Sequence, residues 1–141
     1  MGSVSRDAVF VDTSFYVAFL NARDFLHSVA EGVATNCGDV VTTEYVLVEV
    51  GNILARTGNK RAFMEFMNRL EADDRTTIVP AGRTWFDRGM ELYASHLDKK
   101  WSLTDCISFE VMRNYSLREA ATADHHFEQA GYRALMKTEP R

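Results

Sequence analysis

The chain has 141 residues, 46% of them hydrophobic, with 16 lysines and arginines against 20 aspartates and glutamates, a net charge of −4. That length predicts one domain, able to bury roughly 70% of its unfolded surface without a disulfide or metal staple, and the ordinary apolar content excludes extensive disorder. The longest unbroken apolar stretch, Phe15 to Leu20, is far short of the ~18 residues of a membrane-spanning helix, and the acidic balance excludes a protein that holds nucleic acid by bulk charge alone.

Ala8 to Asp12 reads as a short apolar strand, followed by a helix from Phe15 to Asn21 behind a Thr13/Ser14 cap. Asp24 can cap a second helix reaching about Asn36, and Asp39 to Thr43 is the next strand. A long helix is expected from Glu44 to Arg56, stopped by Thr57-Gly58-Asn59. Lys60 to Leu70 is another, with Phe63, Phe66, Met67 and Leu70 on one face at i, i+3, i+4, i+7. Thr76 to Val79 is a strand ended by Pro80, and Arg83 to His96 is helical. Leu103 to Asn114 is apolar nearly all round, which predicts a buried helix. Ala120 to Thr122 is a minimal strand, and His125 to Ala130 a short helix with Gly131 at its C′ position. Tyr132 to Met136 is a last strand, before a tail from Lys137 expected to fray. Strands alternating with helices imply a three-layer α/β/α sandwich around a central parallel sheet of four to five strands. Cys37 and Cys106 read as free thiols. No basic segment leads into an apolar core at the start of the chain, so a cytoplasmic location is expected.

In such a sheet the site lies beyond the C-terminal strand ends, at the switch in strand order. Four acids fall where segments would converge on that edge: Asp12 after the first strand, Glu49 on the long helix, Asp105 in the first turn of the buried helix, and Asp124 after the fourth strand. Carboxylates brought together raise one another's pKa, so such a cluster needs protons or a cation, and oxygen ligands select hard ions such as Mg²⁺ or Mn²⁺. Each acid also has a structural reading. Asp12-Thr13-Ser14 fits a helix cap, and Ser102 to Asp105 has capping-box spacing. Glu49 could be a solvated acid, although Val46, Leu47, Val48 and Val50 around it make an odd setting for one, and Asp124 could be the N-cap before His125.

The four segments, in this order, resemble the motifs of the PIN-domain family, in particular the VapC-type toxin ribonucleases. VFVDTSFYVAFLN is similar to the first motif, with the metal-binding acid on Asp12, and TTEYVLVEVGNIL to the second, with the glutamate on Glu49. WSLTDCISFEVM is similar to the third, on Asp105, and ATADHHFEQAGY to the fourth, on Asp124, with Ala123-Asp124-His125 departing from the commoner pattern. The resemblance runs from about Val9 to Leu135. It implies a Mg²⁺-dependent endoribonuclease, expected to be the toxin of a type II toxin–antitoxin pair. Asp12 and Asp105 would hold the principal ion, and Glu49 and Asp124 would complete its shell directly or through water. Thr13, Ser14 or Thr104 would hydrogen-bond those carboxylates or a metal-bound water, or else cap their helices. A homodimer and a cognate antitoxin are the implied partners. The alternative is a PIN-like protein-interaction module that has lost catalysis.

Other features carry two readings. Lys99, Lys100 and Trp101 could hold RNA by charge and stacking, or form a solvated loop anchored by its Trp. Phe63, Met64 and Met67 could face a partner helix, while Phe66 and Leu70 pack in the core. His125 and His126 are adjacent, so their rings should diverge, and His126, which falls on the family's D-x-H-F histidine, is expected to pack or bond locally. A haloacid-type phosphatase would need a second aspartate at Ser14, and a dinucleotide enzyme a Gly-rich turn after the first strand; both are absent.

Overall fold

A computed structural model of the chain describes residues 4, 5 and 7–137, so the expected fraying tail beyond Lys137 lies outside the described residues. Five parallel strands form one sheet in the order β3-β2-β1-β4-β5. They are β1 (Val9–Val11), β2 (Val40–Thr43), β3 (Thr76–Val79), β4 (Glu119–Ala121) and β5 (Arg133–Ala134). Among the described residues seven helices flank the sheet: α1 (Thr13–Leu20), α2 (His27–Asn36), α3 (Glu44–Arg56), α4 (Lys60–Ala72), α5 (Arg83–Ser95), α6 (Leu103–Asn114) and α7 (His125–Gln129). This is the expected α/β/α sandwich, and no helix among the described residues is long and apolar enough to cross a membrane.

All of β1 is buried, as a central parallel strand covered on both faces must be. Phe10 stacks on Phe127 at 6.2 Å between ring centroids, and Phe109 meets Phe127 edge-on at 4.9 Å. α6 is buried on nearly every side, from Asp105 to Met112. Its approach to α5 is close because position 89 is glycine: a Cβ there would stand 2.3 Å from Ile107 Cγ1. Gly131 takes φ 97° just past α7, the left-handed geometry expected of a C′ residue. Cys37 and Cys106 are free thiols.

α2 departs from expectation. It starts at His27, with Leu26 at the cap position and no side-chain cap bond. Asp24 instead accepts from the backbone N–H of Leu26 (2.9 Å), closing a turn between α1 and α2. An Asx turn and an N-cap use the same side-chain acceptor, so the local sequence suits both.

The strand order runs outward from β1 in both directions: β2 and β3 lie on one side, β4 and β5 on the other. The switch point therefore lies between β1 and β4, whose C-terminal ends are joined by a hydrogen bond from Asp12 N–H to Ala121 O (3.2 Å). There the chain leaves the sheet and its backbone and side chains become free to form a site.

Candidate active site

A cavity of about 440 Å³ opens at this switch point, and Asp12, Glu49, Asp105 and Asp124 all line it. Four chain segments supply them: the end of β1, the middle of α3, the first turn of α6 and the residue capping α7. Thr13, Ser14, Val17, Asp24, Phe25, Leu26, Ile53, Ser102 and His126 complete the walls.

Asp12 occupies the N-cap position of α1 but makes no side-chain capping bond. Its carboxylate is committed to the cavity instead. Oδ2 accepts from Thr122 Oγ1 (2.8 Å) and, more loosely, from Ser14 Oγ (3.4 Å). The residue is only 5% exposed, and no lysine or arginine among the described residues pairs with it. Burial pushes its pKa up to about 7, with the nearby Asp105 and Asp124 adding to the rise and the Thr122 hydroxyl opposing it.

Asp105 lines the cavity and also serves its helix. It closes a capping box with Ser102, and Oδ2 also accepts from His126 Nδ1 at 2.9 Å. An ionised carboxylate only accepts, so the proton of that bond sits on Nδ1. Burial again raises the pKa, against the lowering effect of the Ser102 N–H and His126. Asp124 caps α7 by accepting from His126 N–H (2.9 Å), and its Oδ1 lies 3.3 Å from His126 Nδ1. Glu49 is half-buried and accepts from Thr13 Oγ1 at 2.7 Å, which ties α3 to α1 across the cavity.

The hydroxyl expectations divide. Thr13 bonds Glu49, while Ser14 bonds Asp12 and Thr122 and receives the Ala123 N–H (3.2 Å). Thr104 does neither: its carbonyl accepts from Ser108 Oγ, and its side chain neither lines the cavity nor bonds a carboxylate. One turn into a helix, a side chain can face away from a neighbour that the sequence places beside it.

The RNA-stacking reading of Trp101 is corrected. Trp101 is 8% exposed, donates to Gln129 Oε1 (3.0 Å), and packs against His96 and Phe109, so it presents no free face to a base. Lys99 and Lys100 are exposed; Lys99 lines a separate small cleft with Tyr93 and His96, and neither lysine reaches the acid cavity. The loop is anchored by its Trp.

Three contributors escaped the sequence reading. Thr122 ends up fully buried as the donor to Asp12. His126 bonds Asp105, 21 residues away, in addition to its local neighbour Asp124. His125 and His126 do not diverge: their ring centroids lie 4.6 Å apart, and with Asp124 they offer three donor atoms within 4.8 Å of one another. The D-H-H run was the only available signal, and adjacency argued against it.

A second concavity, of about 930 Å³, lies between α3 and α4. Phe63, Met64 and Met67 line it together with Leu47, Val48 and Ile78, while Phe66 and Leu70 are buried in the core.

The PIN domain family matches residues 9–131 of the chain. The 23S rRNA-specific endonuclease VapC20 of Mycobacterium tuberculosis is 32% identical over 126 residues, covering 88% of this chain and 95% of the relative. The crystal structure of Mycobacterium tuberculosis VapC20, described as a sarcin–ricin loop cleaving toxin, superposes with a TM-score of 0.81 at 28% identity, over 89% of this chain and 96% of the other. A toxin–antitoxin complex from Klebsiella pneumoniae (TM-score 0.60, 13% identity, 84% and 88% covered) and FitAcB from Neisseria gonorrhoeae (0.62, 17%, 89% and 95%) share the fold.

Proposed function

The chain belongs to the PIN-domain family, and from that premise we propose that it is a divalent-metal-dependent endoribonuclease, the toxin of a type II toxin–antitoxin pair. One observation carries the reading: four acids from distant segments line one cavity, and the most buried of them, Asp12, has hydroxyl partners and no lysine or arginine partner among the described residues. A charge left so poorly compensated calls for a hard cation. The donor set fits one, being rich in carboxylate oxygen, with imidazole nitrogens at its Asp124 edge.

Asp12 and Asp105 would hold a Mg²⁺ or Mn²⁺ ion, with Glu49 and Asp124 contributing directly or through water. Bound there, the ion supplies a Lewis acid for the phosphodiester and makes water a better nucleophile at neutral pH. Thr122 and Ser14 hold the Asp12 carboxylate in one orientation, and Thr13 does the same for Glu49. One of the outer carboxylates, Glu49 or Asp124, would orient or deprotonate an attacking water. His126, bonded to Asp105 Oδ2, would limit how far that carboxylate turns toward an ion.

RNA is the substrate this reading implies, supported by the 23S rRNA named for the relatives at 32% identity. The partner is a cognate antitoxin, whose helix would lie in the α3–α4 groove with Phe63, Met64 and Met67 beneath it. A homodimer acting in the cytoplasm completes the reading, with each chain a single catalytic unit. The test is cleavage of RNA by purified, partner-free protein with Mg²⁺, Mn²⁺ or EDTA. Metal-dependent cleavage supports the proposal; no metal binding and no cleavage would leave the binding-module alternative standing. Sedimentation velocity tests the dimer.

A further inference from the structure

Among the described residues, Phe25 is the most exposed of the large hydrophobic side chains, at 88%. It sits on the turn between α1 and α2 and is also part of the wall of the acid cavity. Its turn is held by its own bonds. Asp24 N–H donates to Asn21 O (3.0 Å) and Arg23 N–H to Asn21 Oδ1 (3.1 Å). Leu26 N–H donates to Asp24 Oδ1 (2.9 Å) and His27 N–H to Asp24 O (3.0 Å). Leu26, the next residue, packs against the core. The Phe25 ring therefore contributes nothing to closing or anchoring the turn, yet the turn fixes where the ring starts.

We propose that Phe25 is the nucleobase-stacking residue of this site: a base of the RNA next to the scissile phosphodiester lies on its ring. The inference rests on the nuclease reading and names a specificity contact for it. Three properties select a base as the occupant. A flat aromatic face in water, beside a site for a phosphodiester, matches the stacking platforms by which proteins hold unpaired nucleotides. The hydrogen-bonded turn pre-positions the ring, so little ordering entropy opposes stacking. Arg23, exposed on the same turn and with no ion pair among the described residues, supplies positive charge two residues along the chain for a flanking phosphate.

The test is abasic scanning of the shortest ribosomal RNA fragment that the wild-type protein cleaves, with one base removed at a time on either side of the scissile bond. The wild type should lose roughly 5- to 150-fold in kcat/KM when the stacked base is removed, the worth of one base–aromatic stack. Phe25→Ala should lose a similar factor on the intact fragment and show no further loss on the abasic one. Phe25→Trp should keep the wild-type pattern. Melting curves and sedimentation of each variant confirm fold and oligomeric state. If Phe25→Ala cleaves the intact fragment like the wild type, or keeps the abasic penalty, the stacking role is overturned while the nuclease stands. A Phe25→Ala loss accompanied by a changed oligomeric state assigns the ring to a second copy of the chain, and also overturns it. If the wild type cleaves no RNA with any divalent ion, both readings fall together.

Discussion

The acid cavity and the α3–α4 groove share one helix and use it in opposite ways. Glu49 and Ile53, one turn apart, face the cavity, whereas Leu47, Val48, Gly51, Asn52 and Ala55 face the groove. Val46, Val50 and Leu54 form the third face, buried against the sheet. A helix that is apolar on two sides leaves only a narrow stripe for charge, and that is why Glu49 stands among valines. The cavity gathers side chains of high desolvation cost from four distant segments; the groove is built from two consecutive helices and costs nothing but exposed apolar area. A site of the first kind is held together by hydrogen bonds between its segments, and one of the second kind leaves apolar area for a partner to cover.

The difference makes the two regions separable by mutation. The largest effect is expected at the cavity: Asp12→Asn or Asp105→Asn should reduce metal-dependent RNA cleavage by about three orders of magnitude, roughly 4 kcal/mol of transition-state stabilisation, with an unchanged circular dichroism spectrum. Asparagine at 105 keeps an acceptor for the Ser102 cap. Either variant cleaving at the parental rate would remove the acids from the mechanism.

The next effect is on stability. Asp12 is raised from 3.8 to about 7 by burial, so the folded, metal-free protein binds more protons than the unfolded chain between those values. The stability this group contributes should therefore fall as pH rises from 3.8 towards about 7 and be level above it. The cost at pH 8 is about 2–4 kcal/mol. Melting temperatures across pH in EDTA should show the decline, Asp12→Asn should flatten it, and Mg²⁺ should restore wild-type stability at pH 8. A flat wild-type profile would mean that the carboxylate is better solvated than its burial indicates.

At the groove, Met64 is 59% exposed, so Met64→Asp should leave cleavage by free protein unchanged. It should weaken capture of the cognate partner about 30-fold, as removal of an apolar anchor does. Loss of cleavage in this variant would show that the two regions are coupled through α3. The smallest expected effect is that of Thr122→Val. It removes the hydroxyl that donates to Asp12 and should weaken metal affinity about 10-fold, as loss of a partner that orients a metal ligand does. Isothermal titration with Mn²⁺ measures it.

The two regions were also unequally legible. Periodicity put Phe63, Phe66, Met67 and Leu70 on one helix face, and only the structure divided them, burying Phe66 and Leu70 and leaving Phe63 and Met67 on the groove. Local pattern and stop signals placed α3, β3 and α6 at their observed limits. The four acids needed motif resemblance as well as chemistry, since each also fits a cap. Asp105 and Asp124 prove to be caps and cavity residues at once, whereas Asp12 holds a cap position without capping.

By itself the sequence determined the alternation of strands and helices, the apolar faces and the carboxylates at the strand ends, all of which are written in local spacing and residue type. Only the tertiary structure decided which way a side chain turns once its neighbours arrive. It buried Trp101 against Phe109, brought Thr122 under Asp12, swung His126 onto Asp105 and left Phe25 in water at the cavity wall. Those outcomes depend on contacts between segments up to 110 residues apart, and the free energy of burying or pairing a side chain is set by what it meets there, which no local pattern encodes.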